Sequence, residues 1–164
     1  MSTPGVRIRL VLYAPHGPGA VALLEKMRSG LPAGDVTELR AVELEGPAAK
    51  AFDYNSKMQL KGQTLEWLLT ACDGQPQSMI ARQTLLKSVH GVLLFASAAA
   101  DVGNLESALQ GDFDQIAGKN YALVVVAPDE ASAKGHQQLM PTAEPALLLK
   151  ELMKAALKVA AASM

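Results

Sequence analysis

Short, almost wholly apolar runs alternate along this chain with segments of helical spacing, and that alternation constrains the fold more than any other feature. "VRIRLVLYA" (Val6 to Ala14) alternates polar and apolar residues at its start and then becomes continuously apolar. A strand does this when it enters a sheet covered on both faces. "HGVLLFASA" (His90 to Ala98) and "NYALVVVA" (Asn120 to Ala127) have the same character, rich in Val and Leu and bounded by Gly, Pro or Asn. Between the strands lie helix-like segments at Ala20 to Ser29, Gln77 to Ser88 and Val102 to Ala117. Such an order predicts parallel strands joined by right-handed crossovers, hence an α/β sheet with helices on both faces.

The last segment is the clearest helix. After Pro145, a good first-turn residue, Leu149, Leu152, Met153, Ala156 and Ala160 recur at helical spacing. Lys150, Lys154 and Lys158 recur every four residues on another face. They read as a solvated face, with attachment to a membrane surface as the lesser alternative. One segment interrupts the alternation. "AFDYNSKMQLKGQTLEWLLTAC" (Ala51 to Cys72) reads as two extended pieces around "LKGQ", an antiparallel hairpin inserted in an otherwise parallel sheet.

The 164 residues suit one domain spanning 1–164 and are too few for two ordinary ones. The apolar runs fall well short of the roughly 20 residues that cross a bilayer, so no membrane span is expected. The start "MSTPGVRIRL" lacks an apolar core followed by a small-residue cleavage site, which points to a cytoplasmic protein. With 15 Lys/Arg scattered against 16 Asp/Glu, the charge does not suit nucleic acid as the main partner. The single cysteine, Cys72, excludes an internal disulfide framework.

The stretch "LVLYAPHGPGAVALLEKM" (Leu10 to Met27) runs from strand through a Gly/Pro turn into a helix, as a phosphate-binding loop does. The order strand, helix, hairpin, helix, strand, helix, strand, helix resembles that of Ras-like small GTPases. The likeness is strongest in "TACDGQPQSMIARQTLLKSVHGVLLFAS" (Thr70 to Ser97). This segment resembles bacterial polarity and motility GTPases of the MglA type, in which Gly-Gln ends a strand, a helix with Arg and "LxLKxVxG" follows, and an apolar strand comes next. Gly74, Gln75, Arg82, "LLKSVHG" and "VLLFAS" fall in register without a gap. The resemblance implies a Ras-like P-loop GTPase fold: a mostly parallel sheet with one antiparallel hairpin strand.

The positions that would hold nucleotide have lost their chemistry. A phosphate loop needs glycines, a Lys for the β and γ phosphates, and a Ser or Thr for Mg²⁺. Aligned on the preceding strand, Gly19 stands at the second glycine, Ala20 at the lysine and Val21 at the hydroxyl position. Ala14 replaces the opening glycine, Pro18 removes one backbone N–H, and His16 supplies at best a neutral donor. The strand-end position that would support Mg²⁺ is Ala71 or Cys72. Asp73 sits where the MglA type has "PGQ", and could be mistaken for a metal ligand. Of the base-recognition run Asn/Thr-Lys-x-Asp, "VAPD" keeps only Asp129, and the last family loop is reduced to "PTA" (Pro141 to Ala143), with "SAK" at Ser132 to Lys134 arriving too early. Gln75, which in the family orients the attacking water, has nothing to orient.

The resemblance therefore implies a pseudo-GTPase that has lost GTP, GDP and Mg²⁺ and needs no cofactor, a protein-interaction or regulatory module in bacterial polarity, motility or secretion. Its expected partner is a Roadblock/LC7 (MglB-like) protein, docking on the hairpin and the following helix at Tyr54, Met58, Gln77 and Met79. Phe52, Tyr54, Met58, Leu65 and Trp67 gather three of the chain's seven aromatics there, as core or as interface. A divergent nucleotide-binding GTPase using His16, Gln75 and Asp129 is the alternative. An unrelated flavodoxin-like or receiver-like domain suits the inserted hairpin poorly. Cys72 with His16, His90 or His136 would make a thiol–imidazole pair, but a cysteine ending an apolar strand reads first as a buried small hydrophobe. Three histidines without paired spacing make a weak metal set, and Asp112 and Asp114 diverge on a helix.

Overall fold

The computed structural model describes residues 5–15, 17, 19–38, 48–60, 62–74, 89–108 and 121–162. In chain order these form β1 (Gly5–Ala14), α1 (Ala20–Ser29), a 3₁₀ turn (Ala33–Asp35), β2 (Val36–Glu38), β3 (Ala48–Leu60), β4 (Gln63–Asp73), β5 (Gly91–Phe95), α2 (Ala99–Ala108), β6 (Ala122–Val126), β7 (Gln137–Leu139) and α3 (Pro145–Ala162). The strands make one sheet in the order β2-β3-β4-β1-β5-β6-β7. From β4 through β7 every pairing is parallel, while β3 runs antiparallel to both β2 and β4. The architecture is α/β, a mostly parallel mixed sheet with one antiparallel hairpin.

The continuous apolar runs are explained by cover on both faces. Along β1, Ile8, Leu10 and Leu12 pack with α1 and α3, through Leu23, Leu24, Met27, Leu152 and Ala156. The intervening Val11 and Tyr13 pack on the opposite face with Val102 and Leu105 of α2. The two-residue period divides β5 and β6 in the same way: Leu93 and Val124 face α3, and Val92, Leu94 and Val125 face α2. Close approach of α3 requires a glycine at position 91. A Cβ there would lie 2.9 Å from Ala156 Cβ and 3.1 Å from Leu10 Cδ2.

α1 has the bounds read from the sequence, and Lys26 and Arg28 in its last turn complement the helix dipole. In α3, Leu149, Leu152, Ala156 and Ala160 are buried together with Leu148, while Lys150, Lys154 and Lys158 are exposed. The hairpin is longer than the Ala51 to Cys72 span, running from Ala48 to Asp73 around Gly62, whose φ is 80°. Its register shifts between Asn55 and Gln59. There Lys57 adopts φ 58°, its N–H held by Asn55 Oδ1 at 3.0 Å.

Three features differ from the sequence reading. α2 begins at Ala99 and not at Val102, because Asp101 caps it. The Asp101 carboxylate is 3% exposed and accepts the N–H groups of Ser97 at 2.7 Å and Ala98 at 3.1 Å. The short strands β2 and β7 add to the strands expected from the sequence, β7 lying at "QQL" between the "SAK" and "PTA" stretches. The expected helix Gln77 to Ser88, the residues of the third expected helix beyond Ala108, and Asp112 and Asp114 lie outside the described residues. No helix among the described residues is long and apolar enough to cross a membrane.

Candidate functional site

β1 and β4 end level, Ala14 pairing with Asp73. The ladder closes with the Gly74 N–H donating to the Ala14 carbonyl at 2.7 Å, and Gly74 turns away with φ 87°. Gly19, with φ 137°, opens α1, and a Cβ at this position would lie 3.8 Å from the Phe95 ring. Gly19 has no side chain to cap the helix. The cap comes from across the sheet: Asp73 Oδ1 accepts the N–H of Ala20 at 2.8 Å and, more weakly, that of Val21 at 3.4 Å. A carboxylate here satisfies two of the orphan donors of a helix start and is favoured by the dipole. An anion arriving from solvent meets these donors already engaged and a negative charge in front of them.

Among the described residues, the neighbouring side chains add nothing that holds phosphate. Ala20 is fully buried in the core, and Val21 packs partly buried against the same cluster. Neither supplies a cation or hydroxyl. His16, Pro18, Gln75, Gln77 and Met79 lie outside the described residues. Asp129 stands just past β6, where its carboxylate accepts the Ser132 N–H at 2.8 Å. Its hydrogen bonds with Ser132 hold its pKa below the usual carboxylate value. The charge is thus turned onto its own loop.

Cys72, His90 and His136 are each engaged elsewhere, and His16 of the thiol–imidazole reading lies outside the described residues. Cys72 is fully buried, its Sγ near the carbonyl oxygens of Gly74 at 3.6 Å and Asp73 at 3.9 Å. Burial, with the Asp73 charge beside it, pushes the thiol up to about 12, so the nucleophilic thiolate is withheld. His90 accepts the Arg9 N–H on Nδ1 at 3.1 Å, and His136 Nε2 is paired with Glu106. Among the described residues no three His, Cys, Asp or Glu side chains come together in a way that could hold a metal ion.

In the hairpin, Phe52, Leu65 and Trp67 are core, at 2%, 1% and 0% exposure. Tyr54 is half-buried and Met58 is exposed, so of the aromatic cluster these two alone present surface. Asp73 is the functional-site residue that the sequence reading set aside. Its signal was an acid at the end of an apolar strand beside Gly74, but its partner lies 53 residues earlier, a distance that only strand pairing closes. In comparisons with known proteins, the chain matches no protein-family model and no curated protein.

Proposed function

We propose that this chain is a Ras-like pseudo-GTPase of MglA-like ancestry, a protein-interaction or regulatory module that neither holds nor hydrolyses GTP. The observation that carries this reading is the Asp73 carboxylate on the first N–H groups of α1. In a nucleotide-binding loop those donors face phosphate. Here a side chain of the same charge sign takes them, and Ala20 and Val21 stand where Lys and Ser/Thr would be needed. The sheet supports the same ancestry, with β1 and β4 parallel neighbours and β3 antiparallel outside them. Hydrogen bonds to charged groups contribute ~1.5 to 3 kcal/mol each, so losing the lysine and Mg²⁺ contacts removes high-affinity binding even before Asp73 is considered.

The partner in this reading is a Roadblock/LC7 (MglB-like) protein of a bacterial polarity, motility or secretion assembly, meeting the hairpin at Tyr54 and Met58. Calorimetry with GTP or GDP and Mg²⁺ tests the nucleotide half: affinity no better than high micromolar is expected, and tight stoichiometric binding would overturn it. An affinity pull-down with wild type and Tyr54→Ala tests the partner half. Capture of a Roadblock/LC7 protein by wild type alone is the expected result.

A further inference from the structure

Away from Asp73, on the sheet face covered by α1 and α3, an apolar groove of about 600 Å³ opens between these helices and the hairpin. This is within the size range of small-molecule sites. Met27 and Leu31 form one wall, Leu149 and Met153 another, and Tyr54 and Met58 the hairpin side, over Trp67 as floor. Trp67 donates its indole N–H to Ser56 Oγ at 3.0 Å, so it turns no free donor toward the groove. A ligand finds hydrocarbon and thioether there. Met58, exposed, and Met153, half-buried, can re-seat around a thin chain.

The rim has a definite charge. Lys26 from α1 and Lys150 and Lys154 from α3 border the groove, with Glu144 as the one acid among its described lining residues. Lys154 lies 3.9 Å from Glu151, a loose exposed pair that leaves its ammonium able to turn. Met27, Trp67 and Leu149, at 1%, 0% and 5% exposure, underlie the groove, whose open apolar surface is Leu31, Tyr54, Met58, Met153 and Leu157. We propose that the groove binds a free, monomeric, anionic single-chain amphiphile, a long-chain carboxylate, with its chain along the methionines and its carboxylate held by Lys150 and Lys154. The site shares no residue with the helix start capped by Asp73 and does not depend on the loss of GTP binding, but its hairpin side, Tyr54 and Met58, is also the surface proposed above for a protein partner.

Trp67 is the sole tryptophan and lies directly beneath the site. Titrating the full chain with dibromostearate, whose bromines quench indole fluorescence at short range, should give saturable one-to-one quenching below the critical micelle concentration. The methyl ester should bind at least tenfold more weakly, and Lys150→Gln with Lys154→Gln at least fivefold more weakly at an unchanged unfolding midpoint. The nearly isosteric Met153→Gln should also weaken binding. Absence of quenching, equal binding of acid and ester, or an affinity indifferent to the lysine substitutions would overturn the proposal. Quenching seen only with brominated lipid in anionic vesicles would overturn it too, in favour of a membrane surface.

Discussion

The Asp73 carboxylate at the end of β4 lies 2.8 Å from the amide nitrogen of Ala20, the first residue of α1. One hydrogen bond thus ties the parallel ladder to the helix it precedes in space but follows in sequence. The same bond occupies the point at which a helix start would bind an external anion.

Removing that cap should loosen the helix start. Asp73→Ala is expected to destabilise the fold by about 1 to 2 kcal/mol, from the lost cap and the lost charge at the dipole's positive end. Asp73→Asn, which keeps an acceptor and loses only the charge, should cost less. Urea unfolding of the three proteins measures both.

Placing a lysine at position 20 should not create a phosphate site. Ala20 is fully buried among the side chains that join α1 to the sheet, so Ala20→Lys forces a long cation into a packed core. A loss of ~3 kcal/mol or more is expected, with no gain in GTP affinity while Asp73 remains. Thermal unfolding and calorimetry on the variant provide the check.

Acid should weaken the junction of β1 and β5 through His90. Its Nδ1 accepts the Arg9 N–H, and burial, then the Arg9 charge, lower its pKa from the ordinary 6.5. The imidazolium cannot accept, so between the lowered pKa and 6.5 the unfolded chain binds more protons than the folded one. The His90 contribution is therefore complete above 6.5 and is lost as pH falls through the folded-state pKa. Unfolding midpoints measured from neutral to mildly acidic pH should fall more steeply for wild type than for His90→Gln.

Cys72 should resist alkylation. With the thiol pushed up to about 12 and no exposed surface, iodoacetamide at mildly alkaline pH is expected to label it only after denaturation. Mass spectrometry of native and unfolded samples distinguishes the two, and rapid native labelling would count against a closed β4 end.

Gly91→Ala should destabilise by about 1 to 3 kcal/mol. The added methyl would meet Ala156 Cβ at 2.9 Å, and both atoms belong to rigid backbone neighbourhoods. Pairing it with Ala156→Gly should recover part of the loss, read from the same denaturant curves.

Local pattern alone carried much of the architecture. The apolar runs of β1, β5 and β6 are long because both faces are covered, so no tertiary knowledge was needed to see them. The turn at Gly62 and the bounds of α1 were equally readable. β2 and β7 were not, because three residues carry too little periodicity and their pairing with β3 and β6 defines them. The start of α2 was displaced because the Asp101 cap acts through backbone N–H groups that composition does not reveal.

What the sequence by itself determined was an α/β alternation with an inserted hairpin and, from Leu10 to Met27, a strand–turn–helix stretch with Ala and Val at positions 20 and 21. Those properties reside in residue types and their spacing along the chain. Only the tertiary structure decided that Asp73 caps α1, that Trp67 is core, and that Tyr54, Met58 and the face of α3 frame one groove. Each joins residues distant in sequence, and a parallel ladder has to form before a carboxylate at position 73 can meet an amide at position 20.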